Sequence, residues 1–391
     1  MPVKPSPKNR AKRATYQRDR SRRAPSGNSV THIDDPNMAA VGSIYDMAEL
    51  QSAERARFGY KRAAKAVIGL PVSVADLVKT GTLREVPFIG PSSARIIEEV
   101  VQAGESATVA RAVAASTRGT QISAKRLLRA HYFSQFAMMQ VHALELDDVI
   151  VSRGAYRGDF QMHSTGSDGG ESIESMAEAC MALGHTCMGV TDHSYGLPIA
   201  RGMTMDAVLR QHAGIDRLNT ALTGRFRVFK GIEANILADG SLDLQPHELA
   251  CFEFVVASPH SLLRRSEDQT PRLLAALRAP RVAILGHPRG RIYNSRAGVV
   301  ADWPRVFEEA AKRRVAIEVD GNWHRQDLDF TLVRDALDAG CLFALDSDAH
   351  SIGELRFTDF AIAHARLAGV PATRVINTWS DADLERWMAE R

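Results

Sequence analysis

The chain holds 391 residues, 45% of them apolar and 24% charged, which are the proportions of a globular protein and exclude wholesale disorder or a collagen-like repeat. Its formal charge of +3, from 49 Lys and Arg against 46 Asp and Glu, points by itself to no partner. That mean conceals an uneven spread, because residues 1–24 carry nine basic side chains and one acidic one, leaving the remainder net acidic.

The N-terminal segment, with Pro2, Pro5, Pro7 and Pro25 and few apolar residues, has too little to bury to offset its ordering entropy. A disordered basic arm is expected over 1–38, able to attract a polyanion. It lacks the apolar core of a secretory signal, and no later stretch approaches the ~18–20 apolar residues of a membrane span, so no membrane association is expected. Cys180, Cys187, Cys251 and Cys341 are scattered without CxxC spacing, which argues against a disulfide framework or a cysteine zinc site and for a cytoplasmic setting.

A helical zone is expected over 40–148. Residues 43–66 carry apolar side chains at helical spacing (Ile44, Met47, Leu50, Phe58, Ala63), and Ser73 with Asp76 forms a capping pair for a second helix. A turn at Val86-Pro87-Phe88-Ile89-Gly90-Pro91 leads to a helix with Ile96, Ile97, Val100 and Val101 on one face and Gly104 as its stop. The pattern reads as helix, tight hairpin, helix. Lys61 and Lys65 read as solvated helix-surface lysines.

From residue 155 to 391 the period changes. Seven β-branched or aromatic runs (158–163, 187–191, 226–232, 254–258, 281–285, 314–319 and 341–345) alternate with helical segments, and the simplest arrangement is an α/β fold with a closed (β/α)7 barrel. Barrels carry their chemistry where strands end. Gln161, His163 and Asp168 close or follow the first run, Asp192 and His193 the second, Glu233 the third, His260 the fourth, His287 the fifth, and Asp348 and His350 the seventh. Imidazole and carboxylate together suit Zn²⁺, Mn²⁺ or Fe²⁺, and so many ligands imply two or three divalent metal ions.

The segments Gly158-Asp159-Phe160-Gln161-Met162-His163-Ser164-Thr165-Gly166-Ser167-Asp168, Thr191-Asp192-His193-Ser194, Gly231-Ile232-Glu233, Ser258-Pro259-His260, Leu285-Gly286-His287-Pro288 and Asp348-Ala349-His350-Ser351, in this order, resemble the PHP (polymerase and histidinol phosphatase) family, in particular the PHP domain of bacterial family X DNA polymerases. The resemblance implies a distorted seven-stranded PHP barrel whose trinuclear metal site hydrolyses phosphoesters. It assigns as ligands His163, Asp168, His193, Glu233, His260, His287, Asp348 and His350, with Gln161 where the family usually has histidine, so that one metal is expected to bind more weakly. Asp192, His193 and Glu233 form the expected catalytic set, with Asp192 either accepting the second N–H of an imidazole or capping the strand end. Arg201, Arg289 and Arg291 follow ligand-bearing strands and stand as phosphate clamps or as solvated charges. Glu318, Asp320 and Asn322 resemble a structural or substrate-lining segment.

Residues 55–104 resemble the N-terminal module of family X polymerases, whose hairpin holds a DNA phosphate on backbone N–H groups, here at Ile89, Gly90, Ser92 and Ser93. Phe88 replaces a glycine at a position that favours positive φ, so either a distorted hairpin or a loss of its phosphate affinity is expected. The roughly 50 residues between this module and the barrel leave no room for a polymerase palm. The expected activity is a metal-dependent phosphoesterase acting at DNA 3′ ends, in the manner of a 3′-5′ exonuclease. The alternatives are a small-molecule phosphatase of the histidinol-phosphate type and a non-catalytic DNA-binding scaffold.

Overall fold

Seven short strands lie side by side in chain order: β1 (Gly158–Asp159), β2 (Cys187–Val190), β3 (Arg227–Asn235), β4 (Phe254–Ser258), β5 (Val282–Leu285), β6 (Ala316–Asp320) and β7 (Leu342–Asp346). Every neighbouring pair is parallel. This is a computed structural model that describes residues 33–391. The basic arm expected ahead of them lies, through residue 32, outside the described residues. Past β1 and β7 the chain is bridged between Met162 and Ala349, the His163 amide donating to the Ala349 carbonyl at 2.8 Å, so the sheet curls into a nearly closed barrel.

The strands form because their residues are buried on both faces, which β-branched and aromatic side chains satisfy. Inside the barrel Phe160, Phe229 and Phe254 meet with ring centroids 5.8–5.9 Å apart. Gly189 and Gly231 leave the space that the Phe254 ring fills, since a Cβ on either would fall 2.4–2.5 Å from its Cζ. The crossover helices begin on side-chain caps, as where Ser172, Thr204 and Asp329 accept amides of the first turn. Two strand boundaries differ from the sequence reading. The first run pairs only over β1, and β3 continues to Asn235, which places Glu233 inside a strand rather than after one.

Ahead of the barrel, the expected helical run over 43–66 is two helices, Pro36–Leu50 and Glu54–Ile68, because Gln51 adopts an extended conformation with ψ 128°. The break lets Ile44, Met47, Ala64 and Val67 of the two helices enter one shared core. Ser73 caps the helix Val74–Thr80 and Gly104, at φ 77°, ends the helix Pro91–Ala103, as the sequence suggests. Phe88 does adopt the disfavoured backbone, φ 70°, and the turn around it is intact, with the Ile89 amide donating to the Val86 carbonyl at 3.2 Å. The turn bond is therefore made despite the strained conformation of Phe88.

The helical region rests on the loops that follow β5 and β6. Tyr293 and Trp323, from those loops, pack into its core. Tyr293 meets Tyr45 and Tyr132 edge-on at 5.3 and 5.0 Å, Arg129 Nε donates to Asn294 at 2.7 Å, and the Gln326 amide bonds both the N–H and the carbonyl of Phe133. The helical region is thereby held against the loops that follow β5 and β6. Among the described residues no helix is long and apolar enough to cross a membrane.

Candidate metal centre

Strand ends deliver the expected side chains to one place. Glu233, fully buried, sits at its middle: Oε2 lies 2.9 Å from His193 Nδ1 and 3.5 Å from His163 Nε2, and Oε1 lies 2.9 Å from His287 Nε2 and 3.4 Å from His260 Nε2. His163 Nε2 is also 3.1 Å from Asp348 Oδ1. Toward the rim, Asp168 Oδ1 faces His193 Nε2 at 3.7 Å, His350 Nε2 at 3.4 Å and His163 Nδ1 at 3.9 Å. Three overlapping groups result, each with its ligand atoms within 4.8 Å: His163, Asp168, His193 and His350; His193, Glu233 and His260; and His163, Glu233 and Asp348.

The chemistry of this donor set fits cations. His287 Nδ1 and the Gln161 amide are buried with no hydrogen-bond partner, and the Glu233 oxygens face only imidazole nitrogens, an arrangement that is costly unless something else satisfies them. Burial raises the Glu233 carboxyl, but His193 and His260 outweigh it and hold it well below the ordinary range. Asp168 behaves alike, burial opposed by His350 and His193, and comes down to about 2. Burial lowers His350, yet Asp168 and Asp348 pull it up to about 9, the mark of a cluster that seeks positive charge. His287, enclosed, is pushed down to about 4 by burial and so stays neutral, the form that ligates.

Neighbours orient these rings. Asn235 Oδ1 lies 2.6 Å from His260 Nδ1 and the Asp348 carbonyl 2.9 Å from His350 Nδ1, which turns the Nε2 atoms inward. Asn235 is invisible to a search for ligand residue types, and only its place two residues after Glu233 on β3 hinted at it.

Asp192 does not orient an imidazole. Its Oδ1 accepts the amides of Ser164 and Ser167 and the Ser167 hydroxyl, and its Oδ2 the Ser164 hydroxyl and Gln211. It braces the loop between His163 and Asp168, its two oxygens being taken by Ser164, Ser167 and Gln211. Arg291 is buried and its guanidinium donates to the carbonyls of Ala130, His131, Arg325 and Gln326 and to Asp329, which leaves it no free donor for a phosphate. Arg289 pairs with Asp329 and the Ala297 carbonyl, and Arg201 is exposed after the turn Pro198–Ala200. None of the three is drawn to the cluster.

The arginine that does reach the centre is Arg325, which the sequence reading passed over. Its Nη1 lies 3.0 Å from Asp348 Oδ2 and 3.6 Å from Asp320 Oδ2, and among the described residues its guanidinium makes no hydrogen bond of good geometry. Glu318 accepts the His287 amide, so the β6 carboxylates line and support the site. At the hairpin, Ile89 and Ser93 are buried while Gly90 and Ser92 are exposed, and no side chain caps the helix that starts there.

No protein-family model matches the chain. It is 37% identical over 240 residues, 61% of its length and 42% of the relative's, to the DNA polymerase/3′-5′ exonuclease PolX of Bacillus subtilis. It is 31% identical over 150 residues, 37% of its length and 56% of the relative's, to a probable phosphatase of Photobacterium profundum. The chain thus spans about half the length of the curated relatives it matches. A histidinol phosphate phosphatase from Lactococcus lactis, solved with zinc, L-histidinol and phosphate, aligns at 17% identity over 54% of this chain and 94% of that one, with a TM-score of 0.41. Over 240 residues the chain is thus similar to PolX, and its ordered strand-end motifs resemble those of the PHP family.

Proposed function

We propose that the chain is a metal-dependent phosphoesterase that removes nucleotides or blocking groups from DNA 3′ ends. The observation that carries this reading is the trio of ligand groups sharing His163, His193 and Glu233 at the barrel mouth. The likeness to PolX supports DNA as substrate, and so does the helical region that Tyr293 and Trp323 join to the loops after β5 and β6.

Two or three divalent ions held by these residues would polarise the phosphoester and the attacking water and offset the charge that builds up in line. The protein's own part is positional. Glu233, shared by two groups, fixes their separation. Asn235 and the Asp348 carbonyl hold His260 and His350 in single ring orientations, so that no reorganisation is needed during reaction. Arg325, anchored by Asp348, presents uncommitted N–H groups to a non-bridging phosphate oxygen.

The test is incubation of the full chain with Mn²⁺ or Zn²⁺ and a 3′-labelled oligonucleotide. Release of labelled mononucleotide, abolished in Glu233→Gln, is the expected result. Hydrolysis of histidinol phosphate with the oligonucleotide left intact would replace DNA by a small phosphomonoester, and metal binding without either reaction would leave a scaffold.

A further inference from the structure

We propose that Phe88, Arg62, Lys65 and Trp323 form a docking track for single-stranded DNA, leading its 3′ end from the hairpin to the metal centre. The proposal rests on the DNA reading above and names the surface that serves it. Arg62 and Lys65 stand one turn apart on the helix Glu54–Ile68, hence on the same face, and both are exposed. The Arg62 guanidinium lies 4.0 Å from the centroid of the Phe88 ring and 5.9 Å from that of Phe58. Lys65 Nζ lies 5.6 Å from the Trp323 ring, and Trp323 is two residues from Arg325, which touches Asp348. From the hairpin turn the order is Phe88, Arg62, Lys65 and Trp323, each cation lying against an aromatic ring, and Arg325 at the cluster follows Trp323 by two residues.

Two features of Phe88 are each unfavourable in the isolated chain. Its side chain is 58% exposed, and its φ of 70° is one that glycine adopts without strain. Phe58, on the same track, is 60% exposed. An apolar protein partner would be met by a continuous apolar patch; here guanidinium and ammonium groups interleave with the rings. Interspersed π-faces and positive charges match a strand of unpaired bases on phosphates, where bases stack on aromatic rings and cations follow the backbone. A duplex presents its base faces to itself and not to rings, so the track selects single strands.

The experiment uses the Mn²⁺-loaded full chain and a fluorescent dT12 whose 3′-terminal linkages are phosphorothioates that resist cleavage, with affinity read by anisotropy over a range of salt concentrations. Phe88→Gly removes the ring and relieves the backbone, so it folds at least as well; it is expected to weaken binding by about 5- to 100-fold with the slope of log K against log[salt] unchanged. Arg62→Ala and Lys65→Ala are each expected to reduce that slope by about one charge equivalent. Unchanged affinity in all three variants, or blunt duplex bound as tightly as dT12, overturns the track. If the parent still degrades labelled 3′ ends while the variants bind like it, the function reading stands and the track falls. If the variants lose binding while the parent degrades no 3′ end, the track stands and that reading falls.

Discussion

Asp192 receives Ser164 twice, its Oδ1 accepting the backbone amide at 2.8 Å and its Oδ2 the hydroxyl at 2.5 Å. Because Ser164 follows His163 directly, this pair sets where the loop delivers both His163 and Asp168 to the cluster. Asp192→Asn replaces one accepting oxygen by a donor that faces the Ser164 hydroxyl or Gln211. Metal affinity at the rim group is expected to fall by roughly 10–100-fold, the usual loss for a partner one step removed from the ligands, while the fold persists. Isothermal titration of the metal-free variant with Zn²⁺ measures it, and affinity equal to the parent's would show that the loop needs no such brace.

Gln161, where the sequence resemblance leads one to expect a histidine, is fully buried with its amide unpaired. A neutral amide oxygen is a poorer donor to zinc or manganese than imidazole nitrogen. Gln161→His is expected to tighten the weakest metal by about tenfold or more. Metal retention after dialysis against a graded chelator series, read by elemental analysis, should rise by part of one equivalent per chain, and identical retention would show that Gln161 stands outside the ligand set.

Arg325 offers donors beside Asp348, where Arg291 has none left and Arg289 is turned to Asp329 and the Ala297 carbonyl. If it takes a substrate phosphate, Arg325→Ala should lower kcat/KM about 10- to 100-fold, the range of a charge-assisted hydrogen bond, chiefly through KM. Arg325→Lys should restore only part of this, since an ammonium lacks the guanidinium fork. Loss through kcat alone, with KM unchanged, would instead assign Arg325 to holding Asp348.

His364 is fully buried, stacked on Phe133 at 4.4 Å, with Nδ1 accepting the Phe330 amide and Nε2 beside Gln326. Burial, then Arg291, pushes its pKa down to about 3. The unfolded chain takes up this proton near pH 6.5 and the folded chain does not, so the contribution is complete above about pH 6.5 and is lost as pH falls toward 3. Urea midpoints are expected to decline below pH 6.5, by up to ~1.4 kcal/mol per pH unit from this residue. His364→Gln should flatten that decline, and an equally steep profile in the variant would place the acid sensitivity elsewhere.

The chain order of motifs carried the barrel and the side chains that gather at its strand ends. A buried parallel strand is an apolar run that stops where the backbone reaches the mouth, so His163, His193, His260, His287 and Asp348 could be located from the ends of those runs. Local signals also marked Ser73 as a cap and Gly104 as a stop, because their reasons lie within one turn of chain. What tertiary structure alone decided are the roles that depend on distant partners. Asp192 belongs to a loop 28 residues away, Arg291 binds carbonyls more than 150 residues back, and Phe88 comes under Arg62 from another helix. A residue's type states which bonds it can make; only the fold determines which donors and rings arrive to use them.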